Sequence, residues 1–500
     1  MVTLPGKLGI HGAPEKLMAP YLKETIEKEI KLRAASGFSL PALPGRGVPR
    51  RVFTSTYFDT KSYALGRLGI TLRRRIEQNK SKWQLKLPAR SARLELELDG
   101  NLGKLPPEFR DLLFALLRQE EVTPIAKLRT ERHGFQIHKN GQTLAEISHD
   151  SVALLDDRQI KCRLFEIEIE LINGKERDLV QLTDTLKKAG ASEGDPRPKV
   201  FQALDLAFPE SYPTVEPSAP PIDHLKAILK RQFKEILIHD PGTRLGKDLE
   251  ELHQMRVATR RFRALLRAGH PLLNPEWVNL LRREVAWLGT ILGTVRDYDV
   301  LLADLHHEIG FLNQEDHPTV QHLLTLLETQ RETARTTMLE ALRSPRYLMV
   351  LELMEHAAYS PETASTTVSL LEIAAKQFKN LRRCAEKWDK QSSDEDLHRL
   401  RIRAKRARYA AELAEHSVGK RARQFIRQVK KFQDFLGSHQ DAVMTEQRLR
   451  ELLGSSSSVK AGFSVGQIVE RLRRRREDVR DGFFRCWKKV RKRGKDAWGC

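Results

Sequence analysis

The chain has 500 residues, 40% of them hydrophobic and 31% charged, with a net charge of +21. That length exceeds what one hydrophobic core serves, so two or more globular domains are expected. No run approaches the roughly 18 apolar residues of a membrane helix, the N-terminus carries no signal-peptide pattern, and the scattered Cys162, Cys384, Cys486 and Cys500 argue against a zinc or disulfide framework and fit a reduced cytoplasm.

The first 200 residues contain several segments that alternate charge and grease with a period of two, the signature of a strand with one charged and one apolar face. Glu27, Glu29 and Lys31 come first, then Arg73 and Arg75, then Lys86 within Trp83-Gln-Leu-Lys86. Arg93, Glu95 and Glu97 follow, Lys127 and Arg129 form a further basic strand with Arg132 just beyond, and Glu166, Glu168 and Glu170 close the series. Pro106 and Pro107 open an amphipathic helix expected to run through Phe114 and Leu117, and Arg177 to Gly190 reads as another. Curled into an antiparallel barrel, the strands would line a lumen with both signs of charge while the helices cover the apolar outer faces.

Pro209, Pro213, Pro217, Pro220 and Pro221 mark residues 208–221 as a linker. Beyond it the pattern is helical, and it repeats. His253-Gln-Met-Arg256-Val-Ala-Thr-Arg260 recurs 145 residues later as His398-Arg-Leu-Arg401-Ile-Arg-Ala-Lys405, and Leu292-Gly293-x-x-x-Asp297 recurs as Leu436-Gly437-x-x-x-Asp441. Two four-helix bundles related by a pseudo-twofold axis are expected, over about 222–360 and 370–500. The fold class is thus α+β and multidomain: an N-terminal antiparallel β-barrel with flanking helices over 22–207, then an all-α domain over 222–500.

The charge is uneven. Residues 1–220 carry 35 basic and 29 acidic side chains, and residues 221–500 carry 52 and 37. A surplus of that size in the helical half points to an anionic partner: polyphosphate, nucleic acid or a membrane surface. In the strand half, Glu27 and Glu29, about 7 Å apart along one strand face, can share a hydrated Mg2+ or Mn2+. Arginine supplies bidentate phosphate contacts and lysine a point charge. On the helical repeat, Arg256, Arg260, Arg263 and Arg267 share one face with His253, and Arg401, Lys405 and Arg408 share one with His398. Stacked cations repel unless a polyanion or acidic partner screens them. Arg471 to Lys495, with the unbroken run Arg473 to Arg476, is either a solvated basic helix or a further anion contact.

The strand motifs together resemble a CYTH domain, the triphosphate tunnel metalloenzyme fold. They are Glu27-x-Glu29-x-Lys31, Tyr57-Phe-Asp59-Thr, Leu72-Arg73-Arg-Arg75, Leu85-Lys86, Arg93-x-Glu95-x-Glu97, Glu146-x-x-x-Asp150, Glu166-x-Glu168-x-Glu170 and Arg197-Pro-Lys199. The resemblance implies Glu27, Glu29, Glu166, Glu168 and Glu170 as metal ligands for Mg2+ or Mn2+ and Glu27, Glu29 and Lys31 as catalytic groups. Arg73, Arg75, Lys86, Arg129 and Lys199 would bind the substrate, inorganic tripolyphosphate by default. Thiamine triphosphatase and adenylyl cyclase activities also occur among such proteins. Two departures stand out: some 25 residues precede the first motif, and Gln202 occupies the place of a late arginine, with neither expected to touch the acidic ladder.

The helical half resembles a CHAD domain, a conserved-histidine α-helical domain associated with inorganic polyphosphate. This implies His253, Arg256, Arg260, Arg263, His398, Arg401, Lys405 and Arg408 as long-chain polyphosphate contacts, and a cytoplasmic or polyphosphate-granule location. Two rivals remain: a non-catalytic polyphosphate-binding protein and a nucleic-acid-binding protein. The second is weakened because only Phe262 and Tyr409 interleave with the basic residues as platforms for base stacking.

Overall fold

A computed structural model describes residues 22–89, 92–100, 103–156, 159–454 and 459–499, which divide into two compact units between Ser211 and Tyr212. Residues 1–21, which make up most of the stretch before the first motif, and Cys500 lie outside the described residues.

The first unit contains β1 (Lys23–Glu27), β2 (Glu29–Arg33), β3 (Gly45–Asp59), β4 (Thr71–Glu77), β5 (Lys80–Ala89), β6 (Ala92–Asp99), α1 (Pro107–Leu112), α2 (Phe114–Leu117), β7 (Thr123–Lys139), β8 (Gln142–Asp156), β9 (Gln159–Leu171), α3 (Glu176–Lys188), β10 (Ser192–Glu193) and α4 (Lys199–Ala203). The strands form one antiparallel sheet in the order β1-β6-β5-β4-β3-β7-β8-β9-β2-β10. Tight hairpins join β4 to β5 and β7 to β8. Their turn residues Gln78 and Asn79, and Asn140 and Gly141, all take positive φ, as turns matching the strand twist require.

The hydrogen-bonded ladder is not a closed barrel, and the expectation is corrected in that respect. The segment 23–33 is interrupted at Lys28, so β1 pairs with β6 while β2 pairs with β9. One stretch of chain therefore links the two sides of the sheet in tandem instead of pairing both sides along its whole length.

Period-two alternation sorts the faces as expected. On β9, Ile167 and Ile169 are fully buried against Leu179, Leu182 and Leu186 of α3, while Glu166, Glu168 and Glu170 take the opposite face. Val200 and Phe201 of α4 pack instead on Leu128, Val152 and Leu154, which share the inward face of Arg132 and Asp150, so α4 covers one end of that face. The helix opened by Pro107 is broken at Leu113 into α1 and α2, and its apolar stripe stays buried across the break at Phe109, Leu112, Leu113, Leu116 and Leu117. The start of the expected linker is held on this unit: Phe208 meets Phe201 edge-to-face at 5.6 Å, and Glu210 lies 2.8 Å from Arg67.

The second unit is helical: α5 (Pro221–Leu245), α6 (Leu249–Ala268), α7 (Pro275–Ile309), α8 (His317–Leu342), α9 (Pro345–Tyr359), α10 (Leu370–Ala385), α11 (Asp394–Leu413), α12 (Glu415–Val418), α13 (Lys420–Gly454) and α14 (Val459–Trp498). Side chains of Asp248, Asn274, Ser369 and Ser393 cap the starts of α6, α7, α10 and α11, which explains why the helices begin there. The repeat equates α5, α6, α7 and α8 with α10, α11, α13 and α14. Phe233 and Phe378 are buried at matching positions. The first repeat adds α9, packed on α5 and α7, and the two repeats meet along α6 and α11. Leucines of α7, α8, α13 and α14 form one core shared by both repeats, including Leu305, Leu324, Leu449 and Leu472.

Candidate functional site

The inward face of the sheet encloses a cavity of 320 Å³ lined by charges of both signs. Glu27, Glu29, Lys31, Arg73, Arg75, Lys86, Glu168, Glu170 and Lys199 all line it. Glu166, 5% exposed, stands just behind, 3.5 Å from Lys31. Cross-strand register makes these residues neighbours: Lys31 is opposite Glu168, Lys86 opposite Glu95, and Glu29 opposite Glu170.

The charges form two groups. In the first, Lys86 Nζ lies 2.6 Å from Glu27 and 3.5 Å from Glu95, and Arg73 lies 3.6 Å from Glu95. Arg73 is also aligned by Gln84, at 2.7 Å, and by the Tyr57 hydroxyl, at 3.1 Å. In the second, Lys31 reaches Glu166 and Glu168, Lys199 bonds Asp150 and lies 3.1 Å from Glu168, and Arg132 pairs with Asp150 at 2.7 Å and Glu168 at 2.8 Å. Lys199 enters from the first residue of α4, set there by Pro198.

Burial dominates the electrostatics. It pushes the Glu27 carboxyl up to about 8, although Lys86 opposes the shift. Glu95 resists the same burial because Lys86 beside it holds it down to about 2, so Glu27 keeps a proton while its neighbour is ionised. Burial likewise raises Glu166 to about 7 against Lys199 and Lys31. Arg75 falls to about 10 through burial and the neighbouring Arg73.

The residues fit a divalent cation. One buried carboxylate oxygen on Glu95 and one on Glu166 make no hydrogen bond and have only lysine or arginine nitrogens at 3.5 to 3.6 Å, so a cation beside either would take up a free lone pair, and Glu27 would join it on giving up its proton. Among the described residues no three acidic, histidine or cysteine side chains converge tightly enough to hold a metal alone. Water and substrate oxygens would have to complete the shell, as is usual for Mg2+.

Several expectations need correction. Arg129 and Lys127 are exposed on the outer face of β7; their even-numbered neighbours Thr130 and Arg132 occupy the lumen. Gln202 does touch the acidic ladder, donating to Glu166 at 3.0 Å. Asp59 of the Tyr-Phe-Asp-Thr motif is structural: its buried carboxylate accepts from the backbone of Thr60, Leu65 and Gly66 and closes the loop before β4. Glu95, Glu97, Asp150, Glu146 and Arg51 were omitted from the candidate set yet belong to the site. The first four could have been found, since they stand in the quoted strand motifs.

In the helical unit a second cavity, of 370 Å³, lies among α6, α7, α10 and α11. Arg256, Arg260, Arg263 and Lys405 line it as expected, joined by Arg267, Arg282 and Arg406, with no acidic residue in the lining. Arg256 packs beside Gly293 and pairs with Asp297 at 2.9 Å, and Arg401 packs beside Gly437 with Asp441 in its field. The Leu-Gly-x-x-x-Asp repeat thus places an aspartate near each arginine, while each glycine lies beside the guanidinium at a distance that a Cβ would also allow. Arg260, Arg263, Arg267, Lys405 and Arg406 have no acidic partner within 4 Å among the described residues. Burial, with Arg401, Arg260, Arg408 and Arg256 around it, pushes Lys405 down to about 7. Arg401 and Arg408 do not line the cavity, and Arg408 is paired with Glu412 at 3.2 Å. Neither histidine lines it: burial pushes His253 down, and His398 contacts Gln440 at 2.7 Å.

A charged lumen inside an antiparallel sheet, followed by a duplicated helical bundle with a basic cavity, defines a protein of two modules. Residues 25–199 match the CYTH domain and residues 227–450 the CHAD domain, so the chain carries a CYTH domain followed by a CHAD domain. An uncharacterised protein of Mycobacterium tuberculosis is 28% identical over 482 residues, covering 89% of this chain and 91% of its own. The CHAD domain of the plant Ricinus communis is 25% identical over 57% of this chain and 94% of its own, with a TM-score of 0.45. HpAC1 from Hippeastrum, in which triphosphatase activity is dominant, is 18% identical over 37% of this chain and 98% of its own, with a TM-score of 0.24.

Proposed function

We propose that the first unit hydrolyses inorganic tripolyphosphate with a divalent cation, Mg2+ or Mn2+, and that the helical unit holds long-chain polyphosphate. The observation that carries this reading is a single lumen in which lysines and arginines face buried carboxylates across the strands, with both signs of charge lining one cavity. A lumen built to bind anions alone gains nothing from such carboxylates, whereas a metal–phosphate complex uses both signs.

Lys31, Arg73, Arg75, Lys86, Arg132 and Lys199 would neutralise successive phosphates and hold them in line. Of Glu27, Glu29, Glu95, Glu168 and Glu170, one or two at a time would hold the cation, with water and substrate oxygens completing its shell and Glu166 behind them. When bound, the cation supplies polarisation of phosphoryl oxygens. The protein's own share is positioning and fixed charge, which is most of what phosphoryl transfer requires.

In the helical unit the unpaired cations of α6 and α11 would bind consecutive phosphates of one chain. Tyr409 is buried, so the cavity offers no open aromatic platform for a base, and the nucleic-acid reading is weaker. The test is phosphate release by the purified protein from tripolyphosphate, ATP, thiamine triphosphate and long polyphosphate under each metal. Tripolyphosphate should be the fastest. Faster release from a nucleoside or thiamine triphosphate would reassign the substrate, and no release from any would leave a binding protein.

A further inference from the structure

The bases of α14 have two opposite fates. In the first half they are neutralised from within. Arg471 lies 2.7 Å from the fully buried Glu308, Arg475 3.1 Å from Asp304, Arg476 2.7 Å from Glu446, and Arg480 2.5 Å from Asp394. Arg473 and Arg474 pair with Glu446 and Glu470. The run Arg473–Arg476 is therefore a clamp onto α7, α11 and α13, and it is not the anion contact that the sequence allowed. In the second half the balance reverses. Of Arg485, Lys488, Lys489, Arg491, Lys492, Arg493 and Lys495, only Arg493 has an acidic partner within 4 Å among the described residues, Asp496 at 3.4 Å.

Where this second half runs along α13, Lys431, Lys489, Lys492 and Arg493 wall a groove of 360 Å³ whose lining contains no acid. Phe432, 1% exposed, forms its floor with Trp487 buried beside it. Bases of one sign over an apolar floor focus the field into the groove and raise the local concentration of anions. The cavity among α6, α7, α10 and α11 shares none of these residues, and the matched CHAD region ends before α14 begins.

We propose that this groove is a second anion site that takes a linear phosphate chain. Three of its four bases are lysines, point charges that accept phosphate without the planar geometry of arginine. No aromatic face is open for a base to stack on, and a concave groove meets a flat lipid headgroup plane only at its rim. The choice of polyphosphate as ligand rests on the reading of the helical unit given above; the anion site itself does not.

The experiment is calorimetric titration of the full chain with long polyphosphate and, separately, with duplex DNA at matched salt. The variants are K431A/K489A/K492A, its charge-reversed counterpart K431E/K489E/K492E, and R260A/K405A in the other cavity. All three lysines are exposed, so both triple variants should melt as the native protein does. Loss of one of two linked sites should weaken long-polyphosphate binding about tenfold in the alanine variant, because multivalency is lost, and further in the charge-reversed one. Native affinity in both triple variants would overturn the proposal. Loss confined to DNA would also overturn it by giving the groove to nucleic acid. If R260A/K405A binds as the native protein while the triple variants fail, the α6–α11 cavity is misassigned and the second site stands.

Discussion

Gln202 donates its side-chain amide to Glu166 at 3.0 Å, and a second bond, to the carbonyl of Arg197 at 2.8 Å, holds that amide in place. The donor is neutral, so it orients Glu166 without ionising it, and burial leaves the carboxyl at about 7. An arginine at 202 would favour the carboxylate. If turnover needs Glu166 ionised, the rate should rise with pH through about 7 in the native protein. In Q202R the acidic limb should move down by about one pH unit. A pH–rate profile of the two proteins checks this.

Glu27 gives a prediction for stability. Its folded pKa, about 8, lies above the ordinary value of 4.5 because burial penalises the charge. A group raised in this way stabilises the fold below its unfolded pKa, and that stability is lost as pH rises towards 8. The metal-free protein should therefore lose stability across that window. A divalent cation, which needs the carboxylate ionised, should raise the melting temperature more at pH 8 than at pH 6. Thermal melts with and without Mg2+ or Mn2+ measure both effects.

Lys405 sets the pH dependence of the helical unit. Burial and the surrounding arginines hold it near 7, far below its ordinary 10.5. With the folded state binding fewer protons than the unfolded, the unliganded protein should gain stability as pH rises from about 7 towards 10.5. A polyanion reverses the local repulsion and restores the proton, so polyphosphate binding should take up protons near pH 8 and weaken as pH rises. Titrations in buffers of different ionisation enthalpy count that proton. Charge reversal at Arg260 and Lys405 together should abolish most of the long-polyphosphate affinity and spare tripolyphosphate hydrolysis.

Gly494 has a packing role. A Cβ there would overlap the ring of Phe378, which is fully buried between α10 and α14. Gly494→Ala gains about 1 kcal/mol of helix propensity but overpacks a site where such insertions cost about 1–3 kcal/mol. The net expectation is a lower melting temperature, with hydrolysis in the first unit unchanged.

The inward carboxylates at 27, 29, 166, 168 and 170 were legible because period-two alternation states parity directly. Arg129 misled because two arginines of opposite parity, Arg129 and Arg132, stand on one strand, and only pairing with β3 and β8 decides which faces inward. The Gln202 contact was not legible, since it depends on where the short α4 meets β9. The clamp formed by Arg471, Arg475 and Arg480 was equally hidden, because Glu308 and Asp394 lie far away in sequence. The aspartate in Leu-Gly-x-x-x-Asp was visible as a repeat, but its arginine partner lies on the neighbouring helix.

The central claim is that carboxylates at the head of the sheet make the lumen catalytic. The most direct measurement is phosphate release from tripolyphosphate by the native protein and by E27Q/E29Q, with Mg2+ or Mn2+ present. Glutamine mimics the protonated carboxyl that Glu27 already carries near neutral pH, so the variant should keep its fold and its melting temperature in the absence of metal. The account predicts metal-dependent release by the native protein and none above background by the variant. Equal release by both proteins would contradict it.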